Sequence, residues 1–145
     1  MKFSIITTTY NSSQTIFKCI SSLRNQTYQN IELIWIDNSS EDTTYEILNK
    51  YKSRNTKLIK VKNKSISEAW NIGIKKSTGD IVGFLNSDDI LSNKNIIKKI
   101  SNIFKSKKCN TVYTDIHCVN KNGKIIRNWK ANLFTNKTET KNYYK

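Results

Sequence analysis

The amino-acid sequence predicts an α/β fold with a mostly parallel sheet flanked by helices. Three observations carry that expectation. Short apolar runs of strand length alternate with segments whose apolar residues recur at helical spacing. The run Ile81 to Leu85 (IVGFL) lacks any polar alternation, as a strand covered on both faces should. Polar, turn-forming loops follow the strand-like runs at TTYN, DNSSED and NSDD, and a right-handed parallel sheet gathers such loops on one edge, where ligands bind.

Lys2 to Thr8 reads as a short buried strand, and beyond TTYNSS the residues Ile16, Phe17, Ile20 and Leu23 fall on one helical face. Ile31 to Asp37 (IELIWID) repeats the strand, NSSEDTT supplies turn and capping residues, and Ile47, Leu48 and Tyr51 mark a second helix. Leu58 to Val61 is the third strand. Ser67 is the expected cap of a helix through Glu68, Ala69, Trp70 and Ile74, closed by Thr78-Gly79-Asp80 with the glycine left-handed. The fourth strand, Ile81 to Leu85, is expected at the centre of the sheet. After Ser92, the residues Ile96, Ile97, Ile100, Ile103 and Phe104 form the clearest amphipathic helix. From Thr111, TVYTDIHCV and KIIRNW flank Asn120 to Gly123, whose Asn-Gly tip signals an antiparallel hairpin added to the sheet.

At 145 residues, 37% of them hydrophobic, the chain has the length and apolar content of one folded domain. A formal charge of +14 suits nucleic acid, an anionic membrane surface or a phosphorylated substrate. The lysines are spread over helix faces and turns among many Asn and Ile, as a bias of the whole composition, and the few arginines form no nucleic-acid-binding motif. Nucleic acid is therefore not the expected partner. Cys19, Cys109 and Cys118 are odd in number and lack paired metal-ligand spacing, which argues against a disulfide framework or a zinc site. His117 and Cys118 with Asp115 resemble a ligand set only until strand alternation points neighbours to opposite faces. The N-terminal run is too short for a secretory signal and no later run has the length of a membrane span, so a cytoplasmic location is expected.

Asp88 and Asp89 are adjacent carboxylates just past a buried strand, hard oxygen ligands of the kind that Mg²⁺ or Mn²⁺ takes while bridging diphosphate oxygens. Such a pair is also a common loop or helix cap. With its surroundings it is more specific: ITTTYNSSQTIFKCISSLRNQTYQNIELIWIDNSSEDTT resembles the opening of family 2 glycosyltransferases, and EAWNIGIKKSTGDIVGFLNSDDIL resembles their central segment with the metal-binding loop. The resemblance covers roughly the first 130 residues, and it rests on the order and spacing of the motifs together.

The resemblance implies a GT-A-like (Rossmann-like) domain over residues 1–130 that binds a nucleotide sugar, followed by a polar stretch, residues 131–145, that is poorly ordered or an incomplete acceptor region. It puts Thr8, Tyr10 and Asn11 near the nucleotide, where ordinary turn chemistry is the alternative, and gives Asp37 the part of a base reader, where strand termination is the alternative. Asp37-Asn38-Ser39-Ser40 departs from the common Asp-Asp-Gly-Ser, so Asn38 offers an amide where a carboxylate is usual. Asn71 and Gly73 fall near the donor, or simply pack a helix, and Glu68 stands one turn earlier, where Asp is common. Asn86-Ser87-Asp88-Asp89 departs from Asp-x-Asp-Asp, leaving Asp89 as first choice for the cation and Asp88 for cation or ribose. Asp115 faces a sugar or solvent.

The function so implied is metal-assisted, inverting transfer of a hexosyl or related unit from a nucleotide-diphosphate donor to a glycan or lipid-linked acceptor. The setting is surface polysaccharide synthesis, with peripheral contact to the inner face of an anionic membrane. No catalytic base is identified, since the family carries it well downstream of the metal loop; Glu139 lies in that direction in an unconvincing context. The alternatives are a catalytically inactive, truncated sugar-nucleotide-binding domain and a basic nucleic-acid-binding domain.

Overall fold

The heptapeptide IELIWID is apolar at all positions but Glu32 and Asp37, and it forms a strand, β2 (Ile31–Asp37), in which every residue after the first is buried. The structure, a computed structural model, describes residues 1–107, 109–120 and 122–131. The chain divides into two compact units, Met1–Ser106 and Lys107–Lys145.

In the first unit β1 (Phe3–Thr9) lies between β2 and β4 (Ile81–Phe84), and β3 (Thr56–Lys60) lies outside β2, giving the order β3-β2-β1-β4 with every pairing parallel. Each parallel connection returns through a helix: α1 (Ile16–Arg24) follows β1, α2 (Thr44–Tyr51) follows β2 and α3 (Ile66–Lys76) follows β3, while α4 (Ile96–Ser106) follows the last strand, β4. Alternation along β1 and β2 then splits the apolar residues between two faces. Phe3, Ile5, Leu33 and Trp35 pack with Ile16, Ile20, Leu23, Leu48 and Ile97, while Ile6, Ile34 and Ile36 pack with Ala69 of α3. Each fully buried residue of this kind stabilises the fold by about 1.5–3 kcal/mol. That exceeds what the solvent-exposed Lys64–Glu68 ion pair at the start of α3 contributes.

The amino-terminal edge of the sheet is fastened by Glu32, which is 4% exposed. Ser4 Oγ donates to one carboxylate oxygen at 2.6 Å, Thr78 donates from both its backbone N–H and its hydroxyl, and Lys2 and Lys57 bring ammonium groups to 3.3 and 3.2 Å. Burial pushes the Glu32 carboxyl up, but the hydrogen bonds from Ser4, Thr78 and Lys57 outweigh it and hold the group well below the usual carboxylate range.

Four expectations change. The fourth strand is at the end of the four-strand order, not its centre, with Val82 37% and Phe84 48% exposed. An unbroken apolar run reports the lack of a polar face and does not fix position in the sheet; Phe84 gains its cover from Trp70, ring centroids 5.0 Å apart. The cap of α3 is Ser65, not Ser67. Ser65 accepts from the Glu68 N–H while the Glu68 carboxylate accepts from the Ser65 N–H, a capping box. The helix closes on Ser77 in an extended conformation, and Gly79 is not left-handed; it is needed because a Cβ there would stand 2.6 Å from Ser4 Oγ and 2.8 Å from the Lys2 carbonyl oxygen. Residues 111–115 are irregular, and the hairpin forms a two-stranded sheet of its own.

In the second unit β5 (Ile116–Val119) pairs antiparallel with β6 (Ile125–Trp129). Asn120 Oδ1 accepts from the N–H groups of Asn122 and Lys124, both at 3.0 Å, and Gly123 takes φ +77°, so the Asn-Gly tip turns as its chemistry demands. Asp115 accepts from the Ala131 N–H at 2.7 Å. Residues 132–145, Glu139 included, lie outside the described residues.

Glu32→Gln is expected to lower unfolding free energy by about 2 kcal/mol, less than the ~3–5 kcal/mol of a fully buried pair because Lys2 and Lys57 are partly solvated. Because the folded group sits below its unfolded value of about 4.3, its contribution is present above that pH and is lost as pH falls. Urea titrations at pH 7 and at pH 3 should show the gap between the native chain and Glu32→Gln narrowing at the lower pH without closing, since the folded carboxylate stays ionised there.

Candidate functional site

The chain turns sharply after each of the first three strands, and each turn holds one residue in the left-handed region: Asn11 (φ 48°), Ser39 (φ 56°) and Asn63 (φ 53°). These are the only non-glycine residues of positive φ among the described ones. Each conformation costs on the order of 1–3 kcal/mol and persists where surrounding contacts over-determine it.

Asp37 supplies the first such contacts. It ends β2 with no exposed surface, and the parallel register sets it level with Thr9 on one side and Lys60 on the other. Thr9 Oγ1 donates to its Oδ1 at 3.0 Å, Ser40 Oγ donates to the same oxygen, and the Ser40 N–H donates to Oδ2 at 3.0 Å. The loop after β2 is thereby folded back over its own strand end.

That loop binds the one after β1. The Asn11 N–H donates to Ser40 Oγ at 3.0 Å and Asn11 Oδ1 accepts from the Glu41 N–H at 2.9 Å. The Ser12 N–H donates to Thr44 Oγ1 at 2.7 Å, and the Ser13 N–H to Asp42 Oδ2 at 3.1 Å. Burial pushes the Asp42 carboxyl up, but hydrogen bonds from Thr44 and Ser13 prevail and lower it to about 2. Two further contacts recruit the loop after β4: the hydroxyls of Ser12 and Ser87 meet at 2.9 Å, and Cys19 Sγ donates to the Asn86 carbonyl at 3.4 Å. Three loops distant in sequence thus share one carboxyl edge.

Asp88 and Asp89 stand exposed at that edge. Burial, then the neighbouring Asp88 charge, pushes the Asp89 carboxyl up. Behind them burial drives the Cys19 thiol up to about 12, with Thr7 opposing and Asp89 and Asp88 adding to the rise. Two adjacent carboxylates that repel each other are a fitting seat for a divalent cation, which would relieve the repulsion. Among the described residues no group of three His, Cys, Asp or Glu gathers, so such a cation would complete its shell with water and phosphate oxygens, as Mg²⁺ commonly does.

The other expected residues fall as follows. Thr8 is half-buried near the end of β1, Tyr10 is 57% exposed just beyond it, and Asn38 is half-buried. Asn71 is exposed on α3, while Gly73 is buried, where a Cβ would meet Ile6 at 2.6 Å, so its place is explained by helix-to-sheet approach. Glu68 serves the capping box and an ion pair to Lys64; the Ser65 N–H, ahead of Lys64, holds its carboxyl at about 2. His117 is exposed and Cys118 half-buried in the second unit. Thr9, Ser12, Ser40 and Ser87 were not singled out as site residues, although each lies inside a loop that the turn chemistry had marked.

The model for "Glycosyl transferase family 2" matches residues 4–144. An uncharacterized glycosyltransferase of Haemophilus influenzae is 41% identical over 101 residues, which are 68% of this chain and 40% of that protein. The UDP-Glc:alpha-D-GlcNAc-diphosphoundecaprenol beta-1,3-glucosyltransferase WfaP of Escherichia coli is 40% identical over 102 residues, 68% of this chain and 38% of that protein. The chain therefore spans about two fifths of the length of these curated relatives. Among solved structures, S. aureus TarS 1-349 in complex with UDP-GlcNAc superposes with a TM-score of 0.68 at 31% identity, over 72% of this chain and 31% of that one. A Pyrobaculum calidifontis mannosyltransferase in complex with GDP-Man and Mn²⁺ shares the fold, with a TM-score of 0.66 at 21% identity over 81% of this chain and 35% of that one.

Asp37→Ala strips the acceptor from Thr9 and from both donors of Ser40, and it should cost about 3 kcal/mol at roughly 1–3 kcal/mol per orphaned buried group. Denaturant titration should show a lower midpoint with an unchanged slope, and limited proteolysis should newly cut between Asn38 and Thr44.

Proposed function

Because the chain belongs to glycosyl transferase family 2, we propose that its carboxyl-edge loops bind a nucleotide-diphosphate sugar and that the sugar is transferred, with inversion, to a glycan or lipid-linked acceptor in surface polysaccharide synthesis. What supports this reading is the joining of three strand-end loops around Asp88 and Asp89 through Asn11–Ser40 and Ser12–Ser87.

In this proposal Asp89, with Asp88, holds Mg²⁺ or Mn²⁺, which would offset the negative charge that develops on the departing diphosphate. Asp88 also stands near the ribose. Thr8, Tyr10 and Asn11 contact the nucleotide, Asn71 lies on the donor side of α3, and the loop that the buried Asp37 holds in place, with Asn38 in it, forms the base end of the site. Residues 1–130 make the donor-binding part, with 131–145 leading toward the acceptor. An acceptor hydroxyl must lose a proton as it attacks the sugar carbon, and the carboxylate that takes it is unassigned.

A lipid-diphosphate acceptor like that in the name of the Escherichia coli relative would lie at a membrane surface, and the charge of +14 favours peripheral contact with an anionic leaflet. Among the described residues no helix is long and apolar enough to cross a membrane.

Calorimetric titration of UDP, GDP and their sugars, with and without Mn²⁺, tests the reading. Native chain should bind one nucleotide in a metal-dependent manner, and Asp89→Ala should bind it at least tenfold more weakly, about 1.4 kcal/mol. Binding without sugar transfer would leave a donor-binding domain inactive in catalysis. No binding of any nucleotide under either condition would sink the proposal.

A further inference from the structure

The side-chain amide of Asn38 is paired with backbone before any ligand arrives. Its Nδ2 donates to the Lys64 carbonyl at 2.9 Å, and its Oδ1 accepts from the Lys64 N–H at 3.0 Å. This two-way pairing, 26 residues apart in sequence, copies a step of a strand ladder between a side chain and a backbone. Only a group with a donor and an acceptor side by side makes it. A carboxylate at the same place would accept from the N–H but confront the Lys64 carbonyl with a second oxygen.

The pairing is one of three between the same two connections. The Val61 N–H donates to the Asp37 carbonyl at 2.8 Å, and Ser39 Oγ donates to the Val61 carbonyl at 2.7 Å. Ser39 and Asn63, the left-handed residues of the two connections, lie beside these contacts in the chain, so the strained turns and the ties that hold them coincide. Just past Lys64 comes Ser65, whose capping box starts α3, the helix that carries Asn71.

We infer that Asn38 is a positioning residue, which ties the loop after β2 to the start of α3 and so sets the base end of the donor site through that tie. The inference rests on the donor-binding reading above, and it explains why an amide stands where the family's usual pattern has a carboxylate. The tie fixes the spacing between two walls of the site before binding, which lowers the ordering cost of binding.

The test uses the full chain in three forms, native, Asn38→Ala and Ser39→Ala, with UDP and Mn²⁺ as the probe. In nucleotide-free Asn38→Ala the Lys64 N–H loses its acceptor and should exchange with solvent at least tenfold faster, while the Ile6 amide of β1 keeps its protection. UDP should then bind at least tenfold more weakly. Ser39→Ala leaves the Asn38 amide in place yet loosens the same connection, and it should weaken UDP at least threefold. It also carries the test if Asn38→Ala fails to fold. Unchanged Lys64 exchange in Asn38→Ala would overturn the inference. So would UDP binding lost in Asn38→Ala but native-like in Ser39→Ala, the pattern of a direct contact. Failure of the donor reading is told apart, because the native chain itself would then bind no nucleotide.

Discussion

A carboxylate with no access to water holds the carboxyl edge of this molecule together. Burying Asp37 at the end of β2 is tolerable only because the parallel register brings Thr9 level with it and because Ser40 folds back to donate twice. Those bonds fix the loop that in turn accepts Asn11, Ser12 and Ser13, and Ser12 then reaches Ser87 beside the acidic pair. The ties between the loops after β1 and β2 trace back to the pairing of those two strands.

Much of the fold was legible in the chain because strand and helix periodicities are local. IELIWID, the helical spacing of Ile16, Ile20 and Leu23, and the Asn-Gly tip each specify their element without reference to distant residues. The parallel α/β class was legible because the elements alternate. Place within the sheet was not, since IVGFL reads alike in a central and a terminal strand. The cap of α3 was legible in principle: Ser65 and Glu68 stand three apart, the spacing of a capping box, and Ser67 drew attention only by lying inside the same polar run. Gly79 was misread because a glycine demanded by a close neighbour looks, in one dimension, the same as one demanded by a left-handed turn.

For the site, sequence reading marked the loops but not the bonds between them. That Ser12 meets Ser87, 75 residues away, depends on strand order and register, which no local pattern encodes. Residue type was likewise an incomplete guide to role. Asp37 drew attention as a carboxylate able to meet a ligand, and it is sealed in the interior with its oxygens engaged. Asp88 and Asp89 are an acidic pair in an otherwise strongly basic chain. In the proposed function they hold negative charge where a +14 background also draws phosphates.

The two edges of the sheet carry different burdens. At the amino edge Glu32 gathers Lys2, Ser4, Lys57 and Thr78 into a latch, and no residue of that latch belongs to the loops around Asp88 and Asp89. Among the described residues, left-handed backbone at non-glycine positions falls at the opposite edge, in Asn11, Ser39 and Asn63. Changes to the loops therefore leave the latch whole, and they meet contacts already under tension that a small chemical change can re-set. Such a scaffold can exchange one recognition surface for another while the body beneath it goes on folding, so diversity in what is recognised need not be matched by diversity in the frame.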